Sequence, residues 1–193
     1  MNTALHRLTL LLLLALPWAA QAGDAVDYAK ASPAKQTKLL EDWAIAPVPE
    51  RLPLIEALRA NRVAIDKNKT PFVEDGDTYR ALESDAEPVG TPKKLRLNNR
   101  LRGLLNTALA SHQLFAEDPA QRLAAAKRLQ RSGKPEQLEL LQQRLDVEED
   151  AAVSEALTLA LANLQLTASD PAVRLAAVRL LGETGAPLAR VRL

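Results

Sequence analysis

Cysteine is absent from this 193-residue sequence. Disulfide bonds, thiolate nucleophiles and cysteine-based zinc sites are therefore excluded. Histidine is almost absent: His6 and His112 are the whole supply, too few to build a histidine metal site. Aromatic residues make up 3% of the chain, and the 47% of hydrophobic residues are mostly Leu and Ala. Closely packed helices use that composition better than sheets do. An excess of one charge is also missing, with 25 Lys and Arg against 24 Asp and Glu and a net charge of +1. Nucleic-acid binders usually carry a marked basic excess, so a nucleic-acid partner is not expected. No nucleophile stands beside a general base in a recognisable pattern, which points away from an enzyme and from a bound cofactor.

The first residues carry export information. His6 and Arg7 form a short polar region, and residues 8–16 are apolar apart from Thr9. Pro17 breaks this run, and Ala20, Gln21 and Ala22 put small residues where a signal peptidase cuts. Residues 1–22 thus read as a signal peptide, the alternative being an uncleaved N-terminal anchor. The run is shorter than the ~20 apolar residues that span a bilayer, and no later segment is apolar enough to do so. The expectation from the leader is an exported, soluble stretch of protein.

Residues 23–60 read as N-terminal helices. Leu39, Leu40 and Trp43, then Leu54, Ile55 and Leu58, fall at helical spacings on either side of Pro47-Val48-Pro49. Residues 61–92 differ. Val63-Ala64-Ile65 and Pro71-Phe72-Val73 are β-like, Asp75-Gly76 is a hairpin-turn cue, and Thr78-Tyr79 opens a return strand. They read as a small β-hairpin set into a helical protein, ended by Pro88, Gly90 and Pro92.

Residues 93–193 read as helical repeats. Leu101, Leu104, Leu105, Ala108, Leu109 and His112 line one stripe. One phrase is then written twice, DPAQRLAAAKRLQRSGKP at 118–135 and DPAVRLAAVRLLGETGAP at 170–187. Its parts are an N-cap aspartate, a proline at the first helical position, an arginine, a Leu-Ala-Ala stripe, a glycine stop and a proline restart. Between the copies, Leu138, Leu141 and Leu145 mark one helix, and Asp150 opens another with Val153, Ala156, Leu157, Ala160, Leu161 and Leu164. The expected fold is mainly α: an irregular HEAT-like α-solenoid with a β-hairpin insertion. Asp150, taken as another start of the same kind, makes the spacing uneven, as if one repeat had lost its second helix. Little after Leu181 covers the last stripe, so an exposed Leu/Val/Ala patch is expected there.

Candidate sites are few. Glu74, Asp75 and Asp77 lack the ligand spacing and closing glutamate of a calcium loop and read as a hairpin turn. His112 reads as a helix-end histidine. Arg122 and Arg174 share a repeat position and are expected to tie helices together through carboxylates of the Asp118 kind. The segment KKLRLNNRLR at 93–102 holds Lys93, Lys94, Arg96, Arg100 and Arg102 with no acid. Cations at a helix start oppose the helix dipole. Either carboxylates of this chain face them, or a partner or lipid headgroups do.

The stretch TPKKLRLNNRLRG at 91–103, with the leader before it and the two Asp-Pro-Ala phrases behind it, resembles the N-terminal extracytoplasmic region of urea ABC transporter permease subunits of the branched-chain amino-acid permease type. The similarity covers essentially all 193 residues. Members of that family continue into a bundle of transmembrane helices, so the resemblance implies that the solenoid and then a membrane domain follow. It also implies a second permease subunit, ATP-binding subunits and a periplasmic urea-binding protein as partners, with membrane association through the downstream region. Without the pore this region cannot transport by itself, and its expected role is docking or positioning. The alternative is a free-standing periplasmic HEAT-like scaffold. An enzyme built on such repeats, such as a lyase, has no supporting residues.

Overall fold

The computed structural model describes residues 23–183. The leader reading at 1–22 and the restart at Pro187 lie outside the described residues. The chain is mainly helical, with a four-stranded antiparallel sheet between its third and fourth helices.

The N-terminal region holds three helices: α1 (Asp24–Lys30), α2 (Pro33–Ile45) and α3 (Leu52–Arg59), the last preceded by a 3-10 turn at Pro49–Arg51. The break between α1 and α2 is an addition to the sequence reading. Ser32 caps α2 by accepting from the Lys35 N–H, and Pro33 takes the first helical position. Two Glu83 oxygens accept from the Ala25 and Val26 N–H groups and so cap α1 from beyond the sheet.

The strands are β1 (Val63–Ile65), β2 (Pro71–Asp75), β3 (Thr78–Ala81) and β4 (Lys93–Lys94), in the order β3-β2-β1-β4. The expected hairpin is β2–β3. Gly76 sits at φ 60 in its two-residue turn, where a left-handed backbone favours glycine. The insertion is larger than a hairpin, because β1 pairs on one edge with β2 and on the other with β4. Lys93 and Lys94, included within the bounds of the helical repeats, are strand residues, and a boundary at 92 cuts the sheet. Asp66 holds the long connection down. Its carboxylate accepts from the N–H groups of Asn68, Thr70 and Val89. Burial pushes its pKa up, but these three bonds outweigh burial and hold it below the usual carboxylate range.

Five helices follow: α4 (Asn99–Gln113), α5 (Pro119–Ser132), α6 (Leu138–Leu145), α7 (Ala151–Gln165) and α8 (Pro171–Glu183), with a 3-10 turn at Pro135–Gln137 before α6. Leu101, Leu105, Ala108 and Leu109 of α4 join a core with α1, α2, α3, Val63 and Val73. Ala110 and Leu114, at the other end of α4, join a second core with α5, α6 and α7. A smaller cluster of Ala162, Ala177 and Leu181 fixes α8 to α7.

The repeat is more regular than the aspartate spacing suggests. Asp118 and Asp170 each accept from the N–H two residues on, at Ala120 and Ala172. Asp150 instead accepts from Val153, three residues on, as Asn98 does from Leu101. Asp150 is thus the counterpart of Asn98, 52 positions earlier, and not of Asp118. Helices α4 and α7 share that offset at both ends. Their buried positions also coincide, with Leu101, Leu105, Ala108, Leu109, Ala110 and His112 matching Val153, Leu157, Ala160, Leu161, Ala162 and Leu164. Among the described residues α4–α5 thus corresponds to α7–α8 at an offset of 52 residues, which accounts for the uneven aspartate spacing without a missing helix between Asp118 and Asp170.

Candidate interaction surface

The basic segment divides into different environments. Lys94 on β4 forms an ion pair with Glu74 on β2 at 2.7 Å. Arg102, in the first turn of α4, donates from Nε to the Leu97 carbonyl at 3.2 Å. Lys93, Arg96 and Arg100 are exposed, and among the described residues none of their side chains makes a hydrogen bond or ion pair. Internal pairing thus accounts for Lys94 alone.

The fold adds a cation that the sequence stretch does not contain. Ala64 pairs with Lys94, and the Leu95 N–H donates to the Val63 carbonyl, so the chain before β1 and the chain after β4 leave the sheet side by side. At the end of α3, Arg59 and Asn61 join Arg102 and Asn106 around a cavity of about 230 Å³ whose apolar lining is Leu58, Leu97 and Leu105. Asn61 has φ 56, a left-handed conformation in which asparagine is enriched. The surface is therefore assembled from α3, the sheet edge and the start of α4. Arg59 is 34 residues before Lys93, beyond the reach of any local charge count. Guanidinium groups with no acid of their own suit a carboxylate or phosphate from outside.

The other candidates resolve structurally. His112 is buried, with Nδ1 2.7 Å from the Ala108 carbonyl, to which it donates, and Nε2 accepting from the Val48 N–H at 3.3 Å. Burial pushes its pKa down, so the imidazole is neutral and joins α4 to the α2–α3 link. Arg122 does not pair with Asp118. Its Nη1 donates to the Ala116 and Glu117 carbonyls at the end of the preceding turn, and its Nε and Nη2 grip Glu148 at 2.8 Å each. The reason is direction: Asp118 is engaged at its own helix start, while the arginine side chain reaches back across the turn. Glu148 also takes Nη2 of Arg144 and the N–H groups of Glu149 and Asp150. Its side chain is closed to solvent, and hydrogen bonds from Arg122 above all hold its pKa down to about 2.

Among the described residues no helix is long and apolar enough to cross a membrane. Nor does any group of three or more His, Asp or Glu side chains there lie where it could hold a metal ion. Compared with family models, curated proteins and solved structures, the chain matches none.

Proposed function

We propose that this chain is the exported N-terminal region of a urea ABC transporter permease subunit, and that it works as a docking and positioning module on the periplasmic face. The family part of this reading rests on the 91–103 stretch, the leader and the two Asp-Pro-Ala phrases. The docking part rests on one observation: among the described residues, the exposed side chains of Lys93, Arg96 and Arg100 make no hydrogen bond or ion pair. Free cations within eight residues of one another fit an acidic face on the urea-binding protein or on another transporter subunit. The 52-residue repeat supports a HEAT-like array as the frame that carries them. The membrane domain, the second permease subunit and the ATP-binding subunits complete the proposed assembly. Urea itself is not assigned to any residue of this chain.

The test is uptake of labelled urea by cells carrying Lys93→Glu, Arg96→Glu and Arg100→Glu together. Uptake is expected to fall while the amount of exported protein and its helical content stay unchanged. Unchanged uptake, together with no association of the purified chain with any urea-transport component, refutes the reading. The repeat also fits a free-standing periplasmic scaffold. In that case the charge-reversed chain loses a different partner and urea uptake is unaffected.

A further inference from the structure

Helices α5 and α8 correspond at an offset of 52 residues, yet among the described residues only α5 is covered on its outer face. Arg122 and Arg174 reach back identically: Nη1 of Arg174 donates to the Ala168 and Ser169 carbonyls at 2.7 and 2.8 Å, as Arg122 does to Ala116 and Glu117. In the first copy the rest of the guanidinium is taken by Glu148, in the turn between α6 and α7. In the second copy, among the described residues, Nε and Nη2 of Arg174 have no partner.

The apolar positions tell the same story. Ala126 is fully buried in the core that α5 shares with α6 and α7, and Leu123 packs against that core. Their counterparts Val178 and Leu175 are 44% and 51% exposed. Helix α8 buries only Ala177 and Leu181, both in the cluster with α7.

We infer that the outer face of α8 is a docking surface for a helical hairpin built like α6–α7, one that lays an Ala/Leu stripe on Leu175 and Val178 and delivers a carboxylate from its inter-helix turn to Arg174. The first copy supplies the template for the partner's shape and for its one required charge. This face is separate from the basic surface at α3, β4 and α4, and it holds whether or not the transport reading does.

The experiment joins the full 193-residue chain, through a flexible Gly/Ser linker, to a second copy of its own residues 134–167 as the probe hairpin. A short flexible tether gives a millimolar effective concentration, enough to populate a weak contact. Hydrogen exchange of the α8 amides is the readout. They are expected to slow by about tenfold on tethering. The gain is expected to vanish with Arg174→Ala in the host or Glu148→Gln in the probe, without adding when the two are combined. Arg174→Glu in the host with Glu148→Arg in the probe is expected to restore it. Unchanged α8 exchange overturns the inference, as does a gain that survives both single changes. It is also overturned if α8 in the untethered chain is already protected in a concentration-dependent way, because a second copy then holds the face, or if removing residues 186–193 exposes it, because the chain's own tail does.

Discussion

Replacing Glu148 by Gln is expected to be the most damaging isosteric change in the chain. The carboxylate accepts from Nε and Nη2 of Arg122 at 2.8 Å, from Nη2 of Arg144 at 2.5 Å, and from the N–H groups of Glu149 and Asp150 at 3.1 and 2.9 Å. The Arg122 and Arg144 side chains are only 11% and 10% exposed. An amide keeps one acceptor but turns an NH2 group toward guanidinium donors and leaves two shielded cations without a counter-charge. Breaking a buried pair on one side costs about 3 kcal/mol at the lower end of what is measured. For a chain of this size that lowers the thermal midpoint by about 6–12 °C. Acid supplies the control. The pKa of Glu148 is held at about 2 against an ordinary 4.5, so the folded state binds this proton later than the unfolded state. The stabilisation is complete above 4.5 and is lost as pH falls toward 2. Chemical denaturation of both proteins at pH 7 and pH 3 should show the wild-type advantage shrinking at the lower pH. A loss below about 0.5 kcal/mol at pH 7, or a gap that stays constant on acidification, refutes the reasoning.

Three further outcomes follow from groups described above or adjoining them. His112 is neutral and depressed below 6.5 by burial, so its share of stability is present above 6.5 and drains away as pH falls below it; His112→Leu, the residue its counterpart Leu164 already is, should flatten the stability profile between pH 7 and 5. Among the described residues the buried Tyr28 hydroxyl has no hydrogen-bond partner, and burial pushes its pKa up to about 12; Tyr28→Phe should leave the denaturation midpoint unchanged or raise stability by up to about 1 kcal/mol, because an unmet desolvation cost is removed. At Gly133 an added Cβ falls 2.5 Å from the Leu129 carbonyl oxygen, a backbone atom in the last turn of α5; Gly133→Ala should cost about 1–3 kcal/mol in thermal unfolding, and a neutral result would mean that the turn shifts freely.

Sequence periodicity exposed the helices best where a cap and a stripe coincide. Asp118-Pro119 and Asp170-Pro171 announce helix starts through a capping carboxylate and a fixed backbone angle, and both helices begin where they say. Asp150 misled for a physical reason: an aspartate can cap from the second or the third N–H, and the residue type does not reveal which. Its true counterpart, Asn98, has a different side chain and no proline behind it. Strand β4 was illegible because a two-residue edge strand has no period to read; its pairing is fixed by β1, about thirty residues earlier. The basic surface was half legible. Lys93, Arg96 and Arg100 announced themselves, while Arg59 comes to the cavity beside Arg102 only through the fold. Nothing local marked Glu148 either, since an acidic helix start reads the same whether or not two arginines wait across the turn.

Helix α4 gives its first half to one core and its last turns to the other. Neither core can melt without stripping apolar surface from the helix on which the other is built. Residues 24–165 are thereby bound into one cooperative event, although two clusters could have unfolded in sequence. Helix α8 is outside this arrangement, since its small cluster of Ala162, Ala177 and Leu181, with Leu159, Leu166 and Leu180 packed against it, is separate from both cores. Under tension applied at the two ends, the described chain should yield first at α8 as a small early step, and then give way along the rest of its length in a single rip.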